Sequence, residues 1–186
     1  MINSKLIKNE LDGLSEGWIV LLETTAEKSL EVSLLALKIL TDGKYTGTIL
    51  STSRPCSNLL SIYEKQKIDT SKLFILDCVC KSQGINVKNI KNVFHLENIS
   101  ALTNISLAIN DNLKKMSRLK RSFIFIDSIT TMLIHNKADV YARFIHNILT
   151  KMRINKVNGL LISLKEETNK EVRAEIAQLC DKVINV

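Results

Sequence analysis

Glycine and proline are scarce in this chain: six glycines and one proline occur in 186 residues, where average usage would give about 22 of the two together. So few chain breakers exclude collagen-like, linker-rich and many-hairpin architectures, and they favour long uninterrupted elements. Aromatic residues reach only 5%. No apolar run attains the roughly 18 residues of a membrane span. The start, MINSKLIKNELDG, carries Lys5, Lys8, Glu10 and Asp12 and lacks the apolar stretch of a secretory signal. A soluble, cytoplasmic protein with no membrane partner is therefore expected. With 45% hydrophobic residues the chain is not a disordered one. Its length suits a single domain over 1–186, with a helical N-terminal segment at 1–16 and a core at 17–186.

Four cysteines, Cys56, Cys78, Cys80 and Cys180, fit reduced thiols in a cytosolic protein. Cys78-Val79-Cys80 forms a C-x-C pair. A zinc site would need two further ligands, and only His95 lies near in sequence, so small buried side chains are the plainer reading. His95, His135 and His146 are scattered, and no Ser-His-Asp or Cys-His catalytic arrangement follows from their spacing. Trp18 opens an apolar run and reads as core.

The formal charge is +7, unevenly placed. Residues 114–156 hold ten bases against Asp127 and Asp139, a net +8 that leaves −1 for the rest. Lys114, Lys115, Arg118, Lys120 and Arg121 crowd into eight positions. Arg143 and Lys151 share a helical face with Asn147. An anionic partner is one reading of this patch. The plainer one is a solvated helix face and a helix C-terminus that favours cations.

Seven apolar runs read as strands: Trp18–Glu23, Thr46–Ser51, Leu73–Asp77, Val93–Leu96, Phe123–Asp127, Leu160–Leu164 and Val183–Val186. Several are apolar at consecutive positions, which marks strands covered on both faces, as in a parallel sheet. Between them lie helical periods. Glu27–Leu40 is apolar nearly all round and is expected to be a buried helix. One stripe joins Leu102, Ile105, Ala108, Ile109, Leu113 and Met116, and another joins Tyr141, Phe144, Ile145, Ile148, Leu149 and Met152. Pro55 suits the first turn of a helix over about 55–66, and Thr168 with Glu171 fits a capping box before Val172. The likeliest irregular stretch is Lys81–Asn92. Alternating strands and helices predict a three-layer α/β/α domain with a mainly parallel sheet of about seven strands.

Ligands in such sheets bind beyond the carboxyl ends of the strands. After the first strand the chain reads Glu23-Thr24-Thr25-Ala26-Glu27-Lys28-Ser29. Lys28-Ser29 matches the end of a phosphate-binding G-x-x-x-x-G-K-[ST] loop, but Leu22 and Glu27 occupy its glycine positions. Those glycines let backbone N–H groups converge on phosphate, and Glu27 adds charge that opposes it. The fifth strand ends in Phe123-Ile124-Phe125-Ile126-Asp127-Ser128, a pattern in which nucleotide hydrolases use the aspartate to hold magnesium.

In order and spacing, Gly17–Leu40, Thr46–Leu60, Arg121–Leu133 and Val157–Val186 resemble the RecA superfamily, most of all KaiC-type domains. The stretch Ile176-Ala177-Gln178-Leu179-Cys180-Asp181-Lys182-Val183-Ile184 is similar to that family's closing A-D-x-V-I. The resemblance implies a RecA-like sheet and a nucleotide site. Against it, the glutamates that activate water in the family are replaced by Ser51, Thr52, Ser53 and Arg54, none of which is a carboxylate base. The family also usually continues beyond the last core strand into β-hairpins that make subunit contacts.

Three readings follow. The first is a degenerate, non-catalytic module with no catalytic residues and no cofactor, which binds a protein partner or associates with itself. The second is an atypical ATP binder or weak ATPase, in which Thr24, Thr25, Lys28 and Ser29 hold nucleotide and Asp127 holds Mg. The third is a DNA-associated accessory protein that uses Lys114, Lys115, Arg118, Lys120, Arg121, Arg143 and Lys151.

Overall fold

The computed structural model describes residues 4–86, 89–166 and 169–186. Strands β1 (Ile19–Thr24), β2 (Thr46–Ser51), β3 (Leu73–Asp77), β4 (Val93–His95), β5 (Ser122–Ile126), β6 (Asn158–Leu164) and β7 (Lys182–Asn185) form one sheet in the order β4-β3-β2-β5-β6-β1-β7. Every pairing is parallel. Helices α1 (Ser4–Leu11), α2 (Ser29–Asp42) and α3 (Cys56–Lys65) cover one face. Helices α4 (Leu102–Met116), α5 (Ile129–Ile134), α6 (Ala138–Ile154) and α7 (Lys170–Gln178) cover the other. The three-layer α/β/α architecture follows from β1, β5 and all but the last residue of β6 being buried along their length. Each fully buried Leu or Ile there contributes roughly 1.5–3 kcal/mol.

Alternate residues of each strand feed the two cores. Ile19, Leu21, Ile124 and Ile126 face α4–α7, while Val20, Leu22, Phe123 and Phe125 face α1–α3. The α6 stripe is buried at all six expected positions. Gly47 lies where any Cβ would overlap the Phe123 ring, so close packing of β2 on β5 requires glycine there. Gly17 adopts φ +88° and donates its N–H to Asn158 Oδ1 at 2.8 Å, which sets the entry into β1. α1 packs Ile7 and Leu11 into the same core as Trp18 and α2.

Some local expectations are corrected. α2 is not buried all round: Val32, Ala36, Leu37 and Leu40 are buried, but Leu30, Leu34, Leu35 and Ile39 are only half-buried. The reason is that a helix on an outer layer has one face on the sheet, and Leu30 and Leu34 instead line a cleft beside α3. Pro55 is the N-cap of α3 rather than its first turn. Thr168 of the expected capping box lies outside the described residues, and α7 is capped by Asn169, whose side chain accepts from the Val172 N–H at 3.1 Å. Within 81–92 the described residues form a short 3₁₀ turn, Lys81–Gln83, closed by Gly84 at φ +63°.

Candidate functional site

The chain passes from β1 to β2 across β6 and β5, so the carboxyl ends of these four strands frame a switch point. A cleft of about 300 Å³ opens there. Ser29, Leu30, Ser33 and Leu34 of α2 form one wall, Ser53, Arg54, Leu59 and Tyr63 another, and Phe125, Asp127, Ser128, Thr131 and Leu164 the rest. Arg54 is the one cation among these lining residues.

The first wall is built differently from a phosphate cradle. Leu22 remains inside β1 and is fully buried. Ala26–Lys28 winds into a 3₁₀ turn that runs straight into α2. The Lys28 N–H is consumed by the Thr25 carbonyl at 3.1 Å. The Ser29 hydroxyl donates to the Ala26 carbonyl at 3.0 Å. Glu27 and Lys28 are exposed. Thr24 is fully buried with its Oγ1 unpartnered. Of the expected nucleotide-site residues, the fold brings Ser29 and Asp127 to the cleft, whereas Thr24, Thr25 and Lys28 do not line it. Glu23, at the end of β1, is buried and bonded by Arg173 of α7, Nε to Oε1 at 2.7 Å.

The opposite wall centres on Asp127. Leu50 pairs with Ile126 across β2 and β5, which sets Asp127 beside the residues that follow β2. Its Oδ1 accepts the Thr52 N–H at 2.9 Å and the Thr52 hydroxyl at 2.5 Å. Its Oδ2 accepts the Ser53 hydroxyl at 3.0 Å, with Ser51 Oγ at 3.4 Å. The Ser51 proton goes instead to the Arg54 carbonyl at 2.7 Å, so three donors hold Asp127 and fill most of the roughly four lone-pair sites of a carboxylate. Burial pushes the Asp127 carboxyl above the ordinary carboxylate range, against the pull of the Thr52 and Ser53 hydrogen bonds. Burial, with the Asp127 charge, likewise pushes the nearby Tyr63 phenol up. The Thr52 and Ser53 hydroxyls, where the resemblance implied carboxylate bases, serve as donors to the strand-end aspartate. Residue types alone did not announce this role.

The basic residues divide between two places. Lys114 and Lys115 close α4, and Arg118, Lys120 and Arg121 form the turn into β5, at the amino ends of the strands and so opposite the cleft. All five are exposed. Arg121 donates to the Gly43 carbonyl at 3.1 Å and its guanidinium lies 5.9 Å from the centre of the Tyr45 ring. Arg143, on α6, pairs with Asp139 at 3.1 Å, while Lys151 is half-buried on the same helix. No helix among the described residues is long and apolar enough to cross a membrane.

Comparison with protein-family models and with curated protein sequences finds no match. Solved structures do match. The uncharacterized protein PH0321 from Pyrococcus horikoshii, solved in complex with an unknown peptide, aligns with a TM-score of 0.72 at 16% identity, over 97% of this chain and 82% of that one. The flagellar accessory protein FlaH from Methanocaldococcus jannaschii aligns with a TM-score of 0.59 at 14% identity, over 97% and 76% respectively. At these identities the likeness is one of architecture, and together with the all-parallel seven-stranded sheet it establishes that this chain has a RecA-like fold.

Proposed function

We propose that this chain is a non-catalytic RecA/KaiC-like module that acts by binding a protein segment. The observation that carries the reading is the state of Asp127: Thr52 and Ser53 hold it as a structural anchor, where a hydrolase would aim it at magnesium. The neighbouring β1–α2 connection supports the same reading, because its 3₁₀ turn spends the Lys28 N–H internally. Ser51, Thr52, Ser53 and Arg54 supply no base to activate water. Phosphoryl transfer needs phosphate cradling, metal and water positioning together; here the cradle lacks its glycines and the water lacks a carboxylate base, while Ser29 and Asp127 remain at the cleft. The peptide bound to PH0321 shows that one protein of this architecture holds a peptide. In this chain the cleft offers hydroxyls and Arg54 to such a ligand.

The test is calorimetry of the folded protein with ATP and ADP, with and without magnesium. The expected result is no heat at millimolar nucleotide, followed by capture of a protein partner or by self-association. Micromolar, magnesium-dependent binding that disappears in Lys28→Ala would overturn the reading in favour of a reduced ATP site. DNA association through residues 114–156 is a separate reading, favoured by the exposed cluster Lys114–Arg121. DNA affinity that falls steeply with salt would support it, and no binding at low salt would remove it.

A further inference from the structure

Four side chains that the proposed function does not use converge at the carboxyl ends of β3 and β4. Asp77 and His95 are register partners on these strands. Cys56 opens α3 and Cys80 lies just beyond β3. One sulfur from each cysteine, a carboxylate oxygen of Asp77 and a ring nitrogen of His95 all lie within 4.8 Å of one another. Cys56, Asp77 and Cys80 are buried, and the His95 side chain is 10% exposed. We propose that Cys56, Cys80, His95 and Asp77 form a structural zinc site.

The imidazole is the independent sign of a missing ligand. Its Nδ1 lies 3.4 Å from Asp77 Oδ2, yet neither ring nitrogen makes a hydrogen bond. Ring nitrogens buried without a hydrogen bond are costly, and a metal at this point would satisfy one of them. The loop is already fixed for the purpose. Asp77 accepts the N–H groups of Cys56 at 2.9 Å, Val79 at 2.7 Å and Cys80 at 3.0 Å. Those bonds hold both cysteine backbones around the carboxylate before any ion arrives.

The donor set selects the ion. Two thiolates disfavour hard calcium and magnesium, and a closed S₂NO set of four suits tetrahedral zinc. Zinc bonds of about 2.0–2.3 Å place tetrahedral ligand atoms roughly 3.3–3.8 Å apart, so the cluster needs to contract by about 1 Å. The site would join the start of α3 to the edge strand β4 and its neighbour β3. β4 has three residues and, among the described residues, pairs only with β3, so a metal clip there would hold an otherwise weak edge. Cys78 lies in the core on the opposite face, under α4–α7. The C-x-C pair of the sequence is therefore not the ligand pair.

The full-length protein, purified under reducing conditions, is assayed for bound metal by mass spectrometry and titrated with cobalt(II) as a spectroscopic substitute. The expected results are near-stoichiometric zinc and the visible bands of tetrahedral thiolate-bound cobalt. Both should be lost in Cys80→Ser and His95→Ala and kept in Cys78→Ser. Zinc should also raise the melting temperature of wild type but not of His95→Ala. Asp77→Asn should weaken zinc binding by about 10-fold or more. His95→Ala, at the sheet edge, keeps the test open should Cys80→Ser fail to fold. Folded, reduced wild type that takes up neither zinc nor cobalt at micromolar concentration would overturn the proposal. So would retention of metal in His95→Ala, or a preference for copper or iron that excludes zinc.

Discussion

Asp127 separates a structural anchor from a metal ligand, and two substitutions distinguish them. In Asp127→Ala the Thr52 backbone N–H loses its acceptor in a buried setting, since Thr52 is 5% exposed. Stranding that donor costs about 1–3 kcal/mol. The Thr52 and Ser53 hydroxyls lose their acceptor as well, but Ser53 is exposed and turns to solvent. Each such bond is worth about 0.5–1.5 kcal/mol net. Relief from burying a charge offsets part of the loss, which leaves about 2–4 kcal/mol. For a domain of this size that is a fall in Tm of roughly 5–15 °C. Asp127→Asn keeps an oxygen for the Thr52 N–H and should stay within about 1 kcal/mol of wild type. The pair also carries a pH signature. Burial raises the Asp127 carboxyl in the folded state, so the folded chain holds a proton that the unfolded chain has released. The contribution of Asp127 to stability therefore increases as pH falls through the folded-state value, and levels off below the unfolded value near about 3.9. Wild type should gain stability over Asp127→Asn on acidification. Thermal melts by circular dichroism across pH measure all of this. An Asp127→Ala protein that melts with wild type, while magnesium-dependent nucleotide binding vanishes in both variants, would refute the anchor role.

Three other outcomes are expected. Gly47→Ala drives a methyl into the fully buried Phe123 ring, and chemical denaturation should show a loss of at least about 2 kcal/mol. Arg173→Ala leaves the buried Glu23 carboxylate without its cation. Since the Arg173 side chain is 32% exposed, the cost should be about 2–3 kcal/mol, below the 3–5 of a fully buried pair; equilibrium unfolding checks it. Lys28→Ala removes an exposed side chain from the 3₁₀ turn. It should change stability by less than about 0.5 kcal/mol and leave calorimetric traces with nucleotide unaltered.

The sequence by itself determined the layers. Runs such as Ile124–Ile126 are apolar on both faces of a strand, and only a sheet covered on both sides buries them, so the α/β/α parallel architecture was legible. The α6 stripe was legible for the same reason: its period survives whatever packs against it. Position along the chain also identified Lys28-Ser29 and Asp127 as the places to examine. Tertiary structure alone decided what those residues touch. Nothing in Ser51-Thr52-Ser53 states that its donors meet Asp127, because β2 and β5 are neighbours only through the order of the sheet. Likewise Cys80 looked paired with Cys78, and strand alternation would keep positions i and i+2 on one face. Yet the chain bends after Asp77, which turns Cys80 back toward the Asp77 carboxylate and leaves Cys78 in the far core. Cys56, Asp77, Cys80 and His95 span 40 positions of chain. The β3–β4 register and the hydrogen bonds that the Cys56 and Cys80 N–H groups donate to the Asp77 carboxylate bring them together. Local pattern reports burial, because burial repeats with the period of the backbone. A site reports register and crossover, which depend on how distant segments pair.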